Sequence, residues 1–356
     1  MPDLDIIRSA VAELPKGQPL VVCLVGGTTG IGSYVAKSLA KAFASDGSKL
    51  RVYIIGRNAT RAADVIAQGR SASPGSDWRF VQATDLALIS EVDKSCTEII
   101  RRETEAPLHN TPSIDLLYMS HCYPILLKPT VTSEGLDAFI STVYYSRIRF
   151  ILQLLPLLTA SPLPGHVISI YAGGFENGTS PGESPIGCPP PATYGVTGVR
   201  KHTCFMKTFM FEELAERNAG KLSLTHIYPG LVDGPGFYNP EMPFWFRFLW
   251  RILKPLAMLY MTSADDCGDV MTYLATSRYP AKGTAGNKIA DEVEVAKSTL
   301  GEPGGGCYAV GQRGDVGVKG ISYETVRKDG TSKEVWNHTI ETLTKVEKEN
   351  TKTMTS

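Results

Sequence analysis

The sequence predicts a doubly wound α/β domain built on a parallel sheet, and three observations predict it. Short apolar or β-branched runs alternate with longer stretches of helical periodicity, a glycine-rich turn joins the first run to the first long helix, and no Gly/Pro/Ser linker divides the 356 residues. Such alternation demands right-handed βαβ crossovers, which place helices on both faces of the sheet. The composition, 43% hydrophobic and 20% charged, suffices for a core of that size.

The N-terminal segment places Asp3, Asp5 and Glu13 where a secretory signal needs an apolar core, so a short leading helix is expected there. Strands are expected at residues 21–25, 50–55, 78–82, 114–119, 166–171 and 222–227. Helices are expected within residues 31–44, 90–102, 136–158 and 199–217. Two stretches break the rhythm where such a sheet opens its ligand crevice, beyond the carboxyl ends of strands. Residues 173–191 are too rich in Pro and Gly for regular structure and predict a loop. Residues 243–262, PFWFRFLWRILKPLAMLYMT, are aromatic and apolar, but Arg247, Arg251, Lys254 and Pro255 argue against a stable membrane span. A substrate lid or a subunit contact is expected there, with a core helix and a membrane-surface helix as alternatives. The single domain is expected over residues 1–345, with the lid at about 235–262 and a polar, disordered tail at 346–356.

Thirty-six basic and thirty-six acidic residues cancel, so no net field draws nucleic acid or an anionic membrane, and a small-molecule partner is expected. The seven cysteines form no Cys-x-x-Cys pair and have no histidine at metal-ligand spacing. Reduced thiols, a cytoplasmic location and no metal are the corresponding expectations, and the sequons at Asn177 and Asn337 then lose their usual meaning.

The run at residues 20–25 leads directly into Gly26-Gly27-Thr28-Thr29-Gly30-Ile31-Gly32. Glycines are needed there because the turn is tight, the backbone must approach a pyrophosphate, and the helix must aim its free N–H groups at that charge. Gly26, Thr28, Thr29, Gly30 and Ile31 are the expected contacts. The second strand ends in Gly56-Arg57, where selectivity for NAD would place an acidic residue against the ribose 2′-hydroxyl. An arginine there favours NADP(H); otherwise Arg57 simply faces solvent. Asp85-Leu86, after the third strand, suits the adenine.

These motifs resemble the short-chain dehydrogenase/reductase family, over nearly the whole chain. The family's Thr-Gly-x-x-x-Gly-x-Gly turn corresponds to residues 25–32, with Val25 in place of the first threonine. Its Pro-Gly after a strand corresponds to Pro229-Gly230, which implies that the backbone at Val232 faces the nicotinamide carboxamide. Thr132-Ser133-Glu134-Gly135-Leu136, Tyr144-Tyr145-Ser146-Arg147 and Val335-Trp336-Asn337-His338-Thr339 are similar to fungal members met in secondary metabolism. Family members are often dimers or tetramers built on the helices after the fourth and fifth strands. The helix carrying Arg147 and Arg149 neither requires nor forbids a homodimer.

The resemblance implies carbonyl reduction by a Ser-Tyr-Lys set, and here the chain departs from the family. Ala172 falls on the serine, with Tyr171 before it; Tyr194 is the tyrosine, and Gly198 stands four residues on in place of lysine. Lys201 and His202 follow near the same face two turns on, about 10 Å further along the helix axis, where either could only partly substitute for the lysine. The family's Asn-Asn-Ala-Gly stretch is Met119-Ser120-His121-Cys122, which places Ser120 and His121 beside the cofactor. His121 is then either a near-neutral proton carrier or a histidine bound to neighbouring backbone. Position 143 is valine, and Asp233-Gly234 replaces a threonine expected after Pro-Gly. Candidate catalytic residues are Tyr194, His121, Tyr171, Lys201 and His202. The expected activity is an NADPH-dependent oxidoreductase acting on a carbonyl or conjugated system of a bulky, apolar metabolite in a biosynthetic pathway. A non-redox isomerase or cyclase on the same scaffold is the first alternative, and a catalytically silent binding protein the second.

Overall fold

Seven strands form one sheet: β1 (Leu20–Val25), β2 (Leu50–Gly56), β3 (Asp77–Gln82), β4 (Leu116–Met119), β5 (Gly165–Ile170), β6 (Leu222–Ile227) and β7 (Cys307–Val310). Their order is β3-β2-β1-β4-β5-β6-β7, and every pairing is parallel. The computed structural model describes residues 2–123, 129–173, 186–189, 194–238, 243–285, 294–316, 327 and 330–355. Six strands lie where the apolar runs predict them. The seventh is no shorter than β4, but glycines on both sides leave its four residues without an extended apolar run.

The strands are apolar on both faces because both faces are covered. Along β1, Val21, Cys23 and Val25 point into one core layer while Val22 and Leu24 point into the other. The first layer is closed by α4 (Ile89–Glu105), α6 (Ser146–Leu158), α7 (Val196–Arg217) and α10 (Thr331–Thr355). The second is closed by α1 (Leu4–Glu13), α2 (Gly30–Ala42), α3 (Ala59–Ala72) and α9 (Ala264–Tyr273). Burying each large aliphatic side chain in these layers contributes about 1.5–3 kcal/mol before entropy is counted. Strand order reverses between β1 and β4, which opens the crevice at their carboxyl ends.

Two helical expectations change. The stretch expected as one helix over residues 136–158 begins as a short α5 (Ala138–Ile140), passes through a π turn at Ser141–Tyr145, and only then becomes α6. Asp137 caps its start by accepting from the Ile140 N–H at 2.9 Å. The polar tail expected to be disordered from residue 346 is instead the last part of α10. Val335, Leu343 and Val346 are buried against the core. Tyr144 Oη meets Thr339 Oγ1 at 2.7 Å, Arg149 pairs with Glu347 at 3.3 Å, and Asn350 donates to Glu134 at 2.9 Å. Docking of one face is enough to order a segment whose composition is polar. The loop expected at residues 173–191 lies outside the described residues except at 173 and 186–189.

Candidate active site

The glycine turn is packed as tightly as its sequence requires. Gly26 has φ +83°, and a Cβ there would lie 2.7 Å from the His121 amide nitrogen. A Cβ on Gly32 would lie 2.5 Å from the Gly26 carbonyl oxygen and 2.8 Å from Ser120 Oγ. Thr29 is the N-cap of α2 yet makes no side-chain capping bond. The first N–H groups of α2 therefore have no side-chain acceptor among the described residues, and residues 25–33 contain no carboxylate. This cradle fits an anionic group such as a pyrophosphate.

Around it stand the other residues expected from the sequence. Thr28 abuts the end of β2, since a Cβ on Gly56 would come within 2.7 Å of its Cγ2. Arg57 follows, exposed, with no carboxylate paired to it among the described residues. Asp85 accepts from the Ala87 N–H at 2.9 Å, which shapes its own turn, and Leu86 is buried beside it. Gly230 has φ +77° and a Cβ there would strike the Gln312 side chain. Beyond Pro229-Gly230 the chain folds over the start of α2. Tyr34 Oη donates to the Asp233 carbonyl at 2.8 Å, Gly234 approaches Gly30, and Val232 is buried in a bridge to Thr262.

Below the crevice lies a cluster that sequence reasoning missed. Arg147 is fully buried, donating from Nη1 to Ser169 Oγ and the Ile170 carbonyl, both at 2.9 Å, and from Nη2 to the His121 carbonyl at 2.6 Å. It thereby ties the end of β4 to the end of β5. Burial lowers its pKa to about 10, so it stays charged at neutral pH. Lys207, fully buried on α7, lies with Nζ 5.3 Å from the Tyr171 ring centre. The detectable signal was a cation set among apolar residues: YYSRIRFILQLL, with Arg147 and Arg149, and CFMKTFMF around Lys207.

The candidates divide into two groups. His121 and Tyr171 belong to the cluster. His121 Nε2 lies 3.1 Å from Ser146 Oγ, and burial, then Arg147 and Lys207, hold its pKa well below the ordinary histidine value. A neutral imidazole replaces the near-neutral proton carrier expected from the sequence, because desolvation and two nearby cations both disfavour its charged form. His226 is neutral for the same reasons, and its Nε2 accepts from the Ala172 N–H at 3.3 Å. Tyr171 packs edge-on to Phe139; burial raises its pKa while Arg200 opposes the rise.

Tyr194, Lys201 and His202 make no bond to Arg147 or its acceptors. Tyr194 donates to Asp137 Oδ2 at 2.9 Å, and burial together with that carboxylate pushes its pKa upward. This is the reverse of a cation-activated phenol. His202 Nδ1 lies 3.1 Å from the Gly198 carbonyl of its own helix, and half-buried Lys201 forms no ion pair among the described residues.

A glycine cradle at the reversal point of a parallel, doubly wound sheet defines a dinucleotide-type α/β fold. The chain is 61% identical over 352 residues, 98% of its length and 99% of the relative, to the short-chain dehydrogenase/reductase SAT2 of Stachybotrys chartarum. It is 31% identical over 350 residues, 96% of its length and 97% of the relative, to the oxidoreductase andH of Emericella variicolor. The chain belongs to the short-chain dehydrogenase/reductase family of oxidoreductases. Its fold is similar to that of L-sorbose reductase from Gluconobacter frateurii, a structure complexed with NADPH and L-sorbose, with TM-score 0.53, 15% identity, and coverage of 73% of this chain and 91% of that one. No protein-family model matches the chain. The described residues hold no group of three or more metal-ligating side chains and no helix long and apolar enough to cross a membrane.

Proposed function

We propose that the protein is an NADP(H)-dependent oxidoreductase acting on a carbonyl or conjugated system of a bulky, apolar metabolite in a fungal biosynthetic pathway. The observation that carries this reading is the carboxylate-free glycine cradle with exposed Arg57 at the end of the next strand. When bound, the nicotinamide supplies or accepts a hydride. The N–H groups at the start of α2 hold the pyrophosphate, and Arg57 holds the ribose 2′-phosphate through its planar fork of donors. Leu86 packs beside the adenine, Ser120 lines the crevice, and Val232 offers its backbone to the carboxamide. Arg147 fixes the ends of β4 and β5 beneath them.

Tyr171 is the proton donor in this reading. It precedes Ala172 at the carboxyl end of β5, and the Lys207 ammonium stands over its ring. Burial raises the pKa of Tyr171 as it does that of Tyr194, but Arg200 opposes the rise at Tyr171 whereas Asp137 adds to it at Tyr194. As the substrate oxygen gains negative charge it takes the Tyr171 proton, and the positive charges of Arg200 and Lys207 stabilise the phenolate that remains. Tyr194, held by Asp137, orients substrate without activated proton transfer. Tyr171→Phe is expected to lower turnover by about 100-fold with cofactor affinity kept, and Tyr194→Phe to cost far less; the reverse order would reject Tyr171 as donor.

The cofactor assignment is tested by calorimetric titration with NADPH and NADH, repeated on Arg57→Ala. NADPH is expected to bind at least about tenfold more tightly, a margin of about 1.4 kcal/mol that the substitution removes. Equal affinities in the unaltered protein would overturn it. Ala172 and Gly198 favour one rival reading, a non-redox isomerase or cyclase, which product formation in protein stripped of nicotinamide would support.

A further inference from the structure

The aromatic helix expected as a lid, α8 (Phe244–Ala257), is built inside out for a water-soluble protein. Phe244, Trp245, Phe248, Ile252 and Leu256, with Leu259 just beyond, are 57–78% exposed, and no residue of the helix is buried. The opposite side, with Lys254 and Trp250, is the anchored one. Lys254 Nζ lies 2.7 Å from Asp233 Oδ2 and 2.7 Å from Tyr238 Oη, and Trp250 stacks on Phe237 with ring centres 4.2 Å apart. These anchors stop the helix from rolling over to hide its apolar face, so the face is presented outward by construction.

We propose that this face lies in the interfacial layer of an anionic phospholipid membrane, with the axis of α8 parallel to the surface. Charge chooses this occupant. Residues 243–262 carry Arg247, Arg251 and Lys254, the last engaged by Asp233, and no acidic residue, in a chain whose charges balance only overall. Neither Arg247 nor Arg251 pairs with a carboxylate among the described residues. A second copy docked through the same face would bring cation against cation and offer no acid in return. Lipid acyl chains accept the aliphatic and aromatic side chains, Trp245 suits the boundary between acyl chains and headgroups, and anionic headgroups complement Arg251 at the edge of the apolar arc. The inference does not depend on the cofactor or the reaction, because its readout is partition and not turnover.

The full chain is centrifuged with vesicles of phosphatidylcholine alone and of phosphatidylcholine with about 30% phosphatidylserine, which gives the second set the negative surface potential of an anionic leaflet. The unaltered protein is expected to partition at least about tenfold more strongly onto the anionic vesicles. Phe248→Asp with Ile252→Asp is expected to abolish binding, and Arg251→Glu to remove the preference for anionic lipid. Circular dichroism identical to that of the unaltered protein confirms that the exposed substitutions keep the fold. Failure to bind either vesicle overturns the proposal, as does binding that the double substitution leaves unchanged. A dimer in solution that the same double substitution dissociates, without vesicle binding, overturns it in favour of a second copy.

Discussion

Replacing Arg147 by methionine tests the cluster beneath the crevice most directly, because methionine keeps the length and apolar stem while deleting the charge. In the intact protein the guanidinium donates three hydrogen bonds within a fully buried site. Each charge-assisted bond contributes about 1.5–3 kcal/mol, against several kcal/mol for desolvating the cation. Buried ion pairs are often replaced without loss, but here two of the three acceptors are backbone carbonyls, which no side-chain substitution removes. Arg147→Met leaves the carbonyls of His121 and Ile170 buried and unpaired, at about 1–3 kcal/mol each, while Ser169 can turn its hydroxyl elsewhere. After the relieved desolvation is credited, a net loss of about 2–4 kcal/mol is expected. With a urea m-value of about 2 kcal/mol/M, the midpoint falls by about 1–2 M. The same substitution removes a cation that depresses His121 and His226, so their imidazole titrations, followed by NMR, move upward. An unchanged urea midpoint with unmoved imidazoles would refute the reasoning.

Two further outcomes follow from the same geometry. His121 and His226 have folded pKa values below the unfolded value near 6.5, so in acid the unfolded chain binds more protons than the folded one. Stability therefore falls as pH drops below about 6.5, by up to about 1.4 kcal/mol per pH unit for each imidazole. Unfolding free energies between pH 7 and 5, a window above most carboxylate titrations, should slope accordingly, and a flat profile contradicts the buried neutral histidines. Gly32→Ala would place a Cβ 2.5 Å from the Gly26 carbonyl and force the cradle open; nicotinamide dinucleotide affinity, read by calorimetry, should drop by at least about tenfold, and retained affinity would remove the turn from the binding site.

The parts of the protein visible in its sequence were those whose cause is local. Six strands announce themselves by apolar runs, and the glycine turn by steric demands that adjacent residues impose on one another. β7 matches β4 in length, but its flanking glycines interrupt the apolar run that would have marked it. Long-range partners were hidden for a different reason. Asp137 binds a tyrosine 57 positions away, and Arg147 gathers acceptors from β5 and from just beyond β4; counting along α7 from Tyr194 stopped at Lys201 and His202, because nothing local ties Lys207, further along the same helix, to Tyr171 at the end of β5. The π turn at Ser141–Tyr145 resets the helical register just before Arg147, which further blurred the face it occupies. The end of α10 was legible in principle. Positions 335, 339, 343, 346 and 350 recur every three or four residues, a stripe that polar composition concealed.

That last helix has a consequence for self-association. Its face is bonded to the π turn and α6 through Tyr144, Tyr145 and Arg149, and it packs along α7, where Arg217 stacks 4.0 Å from the Trp336 ring. Those are the helices after the fourth and fifth strands, the surface on which the family resemblance raised the expectation of a homodimer. A second copy approaching them meets a competitor that is already tethered, present at an effective concentration of about millimolar whatever the dilution of the protein. A second copy docking on the part of α7 and α4 that α10 covers would have to displace α10 or exchange it between two chains.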